Sequence, residues 1–439
     1  MLSPALLKDS MARRCPREKY YEKLLRNRYD FRKAHRPSGV QVVLPEELQS
    51  SNYVRRKSGE IEVDLRSSSS ARRPSLLLIP AETVRERRKS DDSLRKYKLR
   101  KGSNDSSLSR MQLRVGSVGG LRLSSLTLVK ENNVEEVVFT HQYTADPTLA
   151  WEMLKEKRPV KPVRQMKLDT PVRPDHVRFV CIGCTHGVKI DPANLPPGDV
   201  LLVAGDFTSC GLPNEVLSFN KKLGHLRHPY KVVIAGNHEC TFDDTFLRAS
   251  NRELQAKEMA LKQALQASMA SSKIVNSKTL LTNCIYLEDS VIELFGITIY
   301  GTPWQPRVDN WAFNLSRGQP LLDKWNNIPA GVDVLLTHTP PLGHGDMMCD
   351  GQRMGCVELL NSVTKRIKPK YHVFSHIHEG YGCTSDGYTK FINCCICDEN
   401  LQATNSPVIF DIPVHPHTKQ FYLQNVKKIM KRYRRAEKK

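Results

Sequence analysis

Short apolar runs, each followed by turn-forming or polar residues, recur from residue 174 onward and limit what this chain can fold into. Seven such runs, rich in Val, Ile and Leu, occupy residues 178–182, 200–204, 231–235, 297–300, 332–336, 371–374 and 407–410. Their length and composition predict strands that are buried on both faces. A segment rich in Ala, Gln and Leu between Thr245 and Ser272 predicts a helix. Strands interleaved with helices indicate a layered α/β domain.

Five of the runs are followed by residues of the types that bind metal ions. The segments are Cys184-Thr185-His186, Gly205-Asp206, Gly236-Asn237-His238-Glu239, Thr337-His338 and Ser375-His376-Ile377-His378. A single His after a strand is more often a core or loop residue than a ligand, but five coincidences reverse that expectation. Because the carboxyl ends of strands in an α/β sheet face a common crevice, the segments are expected to converge. Mixed imidazole and oxygen ligands suit Mn, Fe or Zn and argue against a calcium site made of oxygens alone.

The ordered segments resemble the motifs of the calcineurin-like metallophosphoesterase family, which are D-x-H, GD, GNH followed by D or E, a single H, and GHxH. Within residues 140–413, the similarity is greatest to the metallophosphoesterase-domain-containing (MPPED) proteins, on residues 146–151, 301–306, 337–346 and 376–380. This resemblance implies an α/β metallophosphatase sandwich of two mixed β-sheets flanked by helices. It also implies a divalent-metal-dependent phosphoesterase.

The resemblance further implies that seven residues hold two divalent cations, which would be Mn, Fe, Zn or Mg. These residues are Cys184, His186, Asp206, Asn237, His338, His376 and His378. Asp206 would bridge the two cations, because a carboxylate has two oxygens and lowers the repulsion between adjacent dications. His186 and His378 would complete the first cation site. Asn237, His338 and His376 would complete the second.

The reaction implied by the resemblance is hydrolysis of cyclic nucleotides or related phosphodiesters, with a hydroxide held between the cations as the nucleophile. His238 would be the general acid that protonates the leaving oxygen, and Asp206 would act through the cations. A bound nucleotide is expected to contact Asn237, His238, His338 and His376. Glu239 is expected to secure its loop rather than to bind a ligand.

Two positions depart from the family motifs. Cys184 stands where the family has the Asp of D-x-H, and Ser375 stands where it has the Gly of GHxH. A thiol has an unperturbed pKa of about 8.5 and binds a metal only as a thiolate. The first cation site is therefore predicted to be weak or selective for Zn. An alternative function follows from the same residue, namely a nucleotide-binding or scaffold protein with little or no activity.

The ends of the chain carry most of its formal charge of +21. The first 130 residues contain 30 Lys and Arg against 14 Asp and Glu, and show no sustained apolar period. Residues 1–135 are therefore predicted to be a disordered basic extension, residues 136–425 the metallophosphoesterase domain, and residues 426–439 a basic tail with the spacing of a short helix. Three serines each lie two residues after a pair of arginines, and they are candidate phosphorylation sites: Ser58, Ser75 and Ser90.

The basic ends are expected to bind acidic proteins or membrane surfaces. They lack the interleaved aromatic residues of single-strand nucleic-acid binders, so specific nucleic-acid recognition is not expected. The sequence shows neither an apolar run long enough to span a membrane nor a secretory signal, which favours a cytoplasmic or nuclear location. Most of the 12 cysteines should then be free thiols, and the cluster at residues 394–397 is interpreted as buried thiols rather than half of a zinc site.

Overall fold

The computed structural model describes residues 138–188, 192–248, 250 and 256–436. Its strands are β1 (Lys161–Pro162), β2 (His176–Ile182), β3 (Val200–Ala204), β4 (Tyr230–Ile234), β5 (Ile285–Tyr286), β6 (Ser290–Leu294), β7 (Ile297–Thr302), β8 (Gln305–Pro306), β9 (Asn314–Leu315), β10 (Val334–Thr337), β11 (Tyr371–Phe374), β12 (Gly382–Ser385), β13 (Lys390–Asn393) and β14 (Val408–Pro413). Its α-helices are α1 (Pro147–Leu154), α2 (Pro213–His225), α3 (Asp244–Arg248), α4 (Ala256–Ser271), α5 (Gln319–Asn326), α6 (Val357–Ser362), α7 (Pro416–Gln424) and α8 (Val426–Ala436).

Most strands belong to two mixed sheets. The larger sheet has the order β1-β12-β13-β11-β10-β7-β6, and its central strands β13, β11, β10 and β7 are parallel. The smaller sheet has the order β14-β2-β3-β4-β5, and all of its strands except β14 are parallel. The parallel strands of each sheet therefore end on one edge, where loop residues meet.

The two sheets pack face to face and are covered by helices on their outer faces. Along β2, Phe179 and Cys181 contact the core between the sheets, whereas the alternate residues Val180 and Ile182 contact the core beneath α2 and α4. Helices α5 and α6 cover the outer face of the larger sheet through another apolar cluster. Both faces of the central parallel strands β2, β3, β4 and β10 are buried, as their unbroken apolar runs predict. The predicted sandwich of two mixed sheets flanked by helices is confirmed.

All seven predicted strands are present, with ends that differ by at most three residues from those read off the sequence. The helix predicted between Thr245 and Ser272 is wrong as a single element, because Ser250, between α3 and α4, is not helical. The Ala, Gln and Leu composition that favours a helix is concentrated in residues 256–271, whereas Ser250 and Asn251 are of the types that favour turns.

The last described helix, α8, packs onto the sandwich. Met430 is only 8% exposed and belongs to the core between the sheets, and Val426, Ile429 and Tyr433 lie against that core. The Tyr433 hydroxyl donates a hydrogen bond of 2.7 Å to the Glu293 carbonyl. Residues 426–436 of the predicted basic tail therefore pack as part of the folded domain.

Several predictions for the amino-terminal part concern residues outside the described ranges. These are the disordered extension over residues 1–135 and the candidate phosphorylation sites Ser58, Ser75 and Ser90. Within the described ranges, every helix is too short or too polar to cross a lipid bilayer.

Candidate metal centre

The loops that follow five parallel strands converge on one buried cluster. Strands β2, β3 and β4 of the smaller sheet and β10 and β11 of the larger sheet each end immediately before one of these loops. The seven candidate ligands are at most 7% exposed, and they are Cys184, His186, Asp206, Asn237, His338, His376 and His378. The convergence expected from the sequence is present, and it joins the edges of both sheets.

Asp206 lies at the middle of the cluster. Its Oδ2 atom is 3.3 Å from Nε2 of His338 and 4.0 Å from Nε2 of His186. The same oxygen lies 3.9 Å from Sγ of Cys184 and 4.0 Å from Nε2 of His238. The other oxygen, Oδ1, accepts the backbone N–H of His238 at 2.9 Å, which fixes the carboxylate plane. One oxygen of Asp206 therefore faces both halves of the cluster, as a bridging ligand requires.

One half of the cluster comprises Asp206, Asn237, His338 and His376. The ligand atoms of Asp206, His338 and His376 lie within 4.8 Å of one another. The amide oxygen of Asn237 lies 3.0 Å from Nε2 of His338. The His338 ring donates from Nδ1 to the Ala204 carbonyl at 2.8 Å, which leaves Nε2 turned toward Asp206. A carbonyl that holds Nδ1 in this way is the usual means of orienting a metal-binding histidine.

The other half comprises Cys184, His186 and His378. The Nε2 atoms of His186 and His378 are 3.1 Å apart. His378 donates from Nδ1 to the Asp398 carbonyl at 2.8 Å, so its Nε2 presents a lone pair to His186. The Nδ1 atom of His186 is buried and has no hydrogen-bond partner within the part of the chain that the structure describes. Two buried imidazoles that face each other in this way, beside a thiol and a carboxylate, fit the ligands of a divalent cation.

Left-handed backbone conformations concentrate in the ligand loops. Four of the candidate ligands have positive φ, namely Cys184 at 45°, His186 at 46°, Asp206 at 52° and His376 at 72°. Such angles are unfavourable for residues that carry a Cβ and cluster where structure serves function. Gly236 permits the close approach of these loops, since a Cβ there would lie 2.3 Å from Oδ1 of Asp206.

The Glu239 side chain joins the loop that follows β3 to the loop that follows β4. Its carboxylate accepts the backbone N–H groups of Asp206, Thr208 and Gly236 at 2.7–2.9 Å, and the Thr208 hydroxyl at 2.7 Å. Burial and the nearby Asp206 raise the pKa of Glu239 to about 8, although the donated hydrogen bonds oppose this shift. The expectation that Glu239 secures its loop is confirmed by these contacts.

Ser375, the second departure from the family motifs, is accommodated by a neighbouring glycine. A Cβ on Gly183 would lie 2.6 Å from Cβ of Ser375. The Ser375 hydroxyl donates to the Ala204 carbonyl at 2.6 Å, the same oxygen that accepts from His338. The serine thus fits the tight turn and adds a hydrogen bond between the two sheets.

Charges within the cluster shift the pKa values of its members. Burial alone would raise the pKa of Asp206, but His338 and His238 hold it well below its usual range. Burial would lower the pKa of His338, but the Asp206 carboxylate raises it to about 9. Burial would also raise the pKa of the Cys184 thiol, but a hydrogen bond with Cys395 and the neighbouring imidazoles hold it well below its usual range. The centre thus favours the anionic forms of Asp206 and Cys184, which are the forms that bind cations, whereas burial raises the pKa of the neighbouring Cys395 thiol.

His238 lies beside the cluster next to an aromatic ring. Its Nδ1 lies 2.7 Å from the Ser209 carbonyl, and its ring centroid is 4.3 Å from that of Trp311. The Trp311 side chain is only partly buried. When Nδ1 donates to Ser209, Nε2 is turned toward Asp206 and the cluster, where a proton donor to a bound phosphate ester would be needed.

Two residues near the centre were not identified from the sequence. Trp311 lies in the loop between β8 and β9, outside the sequence motifs that indicate metal binding. Cys395 lies in the segment interpreted as buried thiols, and burial is confirmed, but its Sγ lies within 4.8 Å of the ligand atoms of Cys184 and His378. The sequence pattern does not identify Cys395, because its position at the centre depends on β13 lying parallel to β11 and ending on the same edge of the sheet.

Comparisons with known proteins agree with this geometry. Residues 177–380 match a family model described as calcineurin-like phosphoesterase, and this range includes all seven candidate ligands. A UPF0046 protein of Caenorhabditis elegans is 73% identical over 327 residues, which cover 74% of this chain and 82% of that protein. Metallophosphoesterase domain-containing protein 1 of Homo sapiens is 45% identical over 289 residues, which cover 63% of this chain and 85% of that protein. A second C. elegans UPF0046 protein is 45% identical over 294 residues, covering 65% of this chain and 99% of that protein.

Proposed function

Because this chain belongs to the calcineurin-like phosphoesterase family, whose members are metal-dependent phosphoester hydrolases, we propose that it is a phosphodiesterase that hydrolyses cyclic nucleotides. The observation that carries the proposal is the position of Asp206, whose Oδ2 lies 3.3 Å from Nε2 of His338 and 4.0 Å from Nε2 of His186. When bound, two divalent cations would clamp the phosphoryl oxygens and lower the pKa of the attacking water.

The protein residues supply orientation and a proton. Asp206 lies near His186, which follows a strand of the smaller sheet, and near His338, which follows a strand of the larger sheet. A phosphate bound beside Asp206 would therefore lie where the edges of the two sheets meet. The Ser209 carbonyl accepts the Nδ1–H of His238, so the ring has a second proton at Nε2 only as an imidazolium; in that form His238 would donate the Nε2 proton to the leaving sugar oxygen and become neutral. The flat, partly buried Trp311 lies beside His238 and would stack on the nucleobase.

The proposal is tested by the products of a single substrate. The full chain, supplied with Mn or Zn, is expected to convert 3′,5′-cyclic AMP into AMP, and a chelator should remove the activity. Trp311→Ala is expected to raise KM about fivefold or more, the lower end of what one base–aromatic stack contributes. Chromatography of the nucleotide products checks both expectations.

Two outcomes would contradict the proposal. Release of inorganic phosphate from AMP, with the cyclic nucleotide left intact, would make the protein a phosphomonoesterase. Binding of cyclic AMP without hydrolysis by any of the added metals would support the second candidate, a nucleotide-binding scaffold, which the replacement of a hard carboxylate by Cys184 favours.

We also propose that α8 docks the protein onto anionic membrane surfaces. Its buried side faces the core, and its opposite side presents four exposed basic residues, Lys427, Lys428, Lys431 and Arg432. Residues 426–436 contain no acidic residue that would neutralise them. Each basic residue near an anionic leaflet contributes roughly 1 kcal/mol of attraction.

Removal of this cationic face is expected to weaken membrane binding. Substituting all four residues with Gln should lower the partition of the full chain onto phosphatidylserine vesicles about fivefold or more, because the basic first 130 residues retain attraction of their own. Co-sedimentation at physiological salt measures this. A matched control removes four exposed charges elsewhere, at Lys155, Lys157, Lys221 and Lys222. An equal loss in the control, or binding to an acidic protein but not to vesicles, would contradict the proposal.

A further inference from the structure

A second cysteine lies against the candidate centre on the side of Cys184. The ligand atoms of Cys184, His378 and Cys395 are all within 4.8 Å of one another, and all three residues are buried. In a tetrahedral zinc site, Zn–S and Zn–N bond lengths place such atoms roughly 3.6–3.8 Å apart. The observed cluster therefore needs only small side-chain movements to surround one ion.

Backbone hydrogen bonds hold the two cysteine segments together. The Ile396 N–H donates to the Gly183 carbonyl at 2.9 Å, and the Cys397 N–H donates to the Cys184 carbonyl at 3.4 Å. The Cys395 N–H is in turn accepted by the Asn393 side chain at 3.1 Å. The proximity of the two sulfur atoms is thus fixed by the fold of both segments rather than by side-chain rotation alone.

The other groups around these sulfur atoms are arranged as ligands require. The backbone N–H of His376 donates to Sγ of Cys184 at 3.1 Å, which favours a sulfur that carries negative charge. His378 is held by the Asp398 carbonyl through Nδ1, so its Nε2 lone pair is available. The Cys395 thiol lies 3.6 Å from the Ile377 carbonyl, a weak contact that an incoming cation would readily replace.

We propose that Cys395 is a ligand of the first cation site, so that Cys184, Cys395 and His378 form a thiolate-rich position that selects zinc over manganese and magnesium. Two thiolates and an imidazole are soft ligands, and such sites hold Zn rather than Mn or Mg. His186, whose Nε2 is 3.1 Å from that of His378, and the shared carboxylate of Asp206 would complete the coordination of this cation. The inference rests on the proposed function in one respect, that a cation occupies this half of the centre.

Cys395 lies beyond residues 177–380, which the family model matches.

Cobalt(II) reports directly on the number of thiolates that bind a cation. The reduced full chain is titrated with Co(II) under nitrogen, and the sulfur-to-cobalt charge-transfer band in the near ultraviolet is measured per bound ion. The expected band corresponds to two thiolates in wild type and to one in both Cys395→Ser and Cys184→Ser. Cys397→Ser is the matched control, since Cys397 is a buried thiol of the same segment outside the cluster, and it should retain the full band.

Two further measurements complete the test: the affinity of the protein for zinc, and the number of sulfur ligands bound to the zinc ion. Competition with a chromophoric chelator is expected to show at least tenfold weaker zinc binding in Cys395→Ser, with the affinity of the other site unchanged. X-ray absorption of zinc-loaded wild type should show two sulfur ligands, which requires no variant to fold. One sulfur ligand in wild type, or a full cobalt band in Cys395→Ser, would show that Cys395 only donates a hydrogen bond to Cys184. Because these measurements involve no turnover, they stand whether or not cyclic nucleotides are hydrolysed.

Discussion

Replacing His238 with Ala is expected to lower the turnover of 3′,5′-cyclic AMP by about a hundredfold or more, while the cation content of the protein stays the same. His238 is not among the cation ligands proposed for the centre. Its contact with Asp206 Oδ1 is made by the backbone N–H, which an Ala retains. The substitution therefore removes the imidazole and leaves the bridging carboxylate oriented.

The choice of leaving group separates proton donation from binding. An alkoxide such as a sugar oxygen needs a proton as it departs, whereas p-nitrophenolate is stable without one. The loss in His238→Ala should thus be much smaller for bis(p-nitrophenyl) phosphate than for the cyclic nucleotide. His225→Ala, at an exposed histidine of α2, is the control and should match wild type on both substrates. Equal losses on both substrates would assign His238 to phosphate binding, and no loss would exclude it from the reaction.

Replacing Glu239 with Ala is expected to lower the free energy of unfolding by about 3–5 kcal/mol. Three backbone N–H groups and the Thr208 hydroxyl would lose their acceptor in a fully buried position. Each unsatisfied buried group costs about 1–3 kcal/mol, although relaxation and water entry reduce the sum.

Urea unfolding of chelator-treated protein measures this effect without a contribution from bound cations. Glu239→Gln keeps one acceptor oxygen and is expected to give an intermediate loss. Glu152→Ala removes an exposed carboxylate from α1 and should change the unfolding free energy by less than about 0.5 kcal/mol. A loss below about 1 kcal/mol in Glu239→Ala would mean that the loops are held by other contacts.

The sequence predicts the strands and the convergence of the centre because both depend on local pattern. A run of Val and Leu such as 200–204 is too short for most helices and too apolar for a loop, and Gly205-Asp206 follows it directly. The position of Cys395 could not be obtained in this way, since it depends on the pairing of β13 with β11. The same holds for Ser375, whose fit depends on the absence of a Cβ at Gly183.

Helix α8 shows a different limit of sequence reasoning. Its basic residues dominate the composition, and the apolar residues Val426, Ile429, Met430 and Tyr433 recur at helical spacing. That spacing predicts a helix but does not show what the apolar side packs against. In the structure it packs against the core between the sheets, so the segment is part of the fold as well as a charged surface.

The candidate metal ligands follow strands of both sheets, so a bound cation would affect how the folded domain unfolds. Asp206 follows β3 of the smaller sheet and His338 follows β10 of the larger one, more than a hundred residues further along the chain. An ion held by both residues acts as a removable cross-link between the halves of the sandwich. Separation of the sheets must then wait for the ion to leave, so the residence time of the ion sets a lower bound on the lifetime of the native state. Protease resistance of this protein would in that case report on metal exchange.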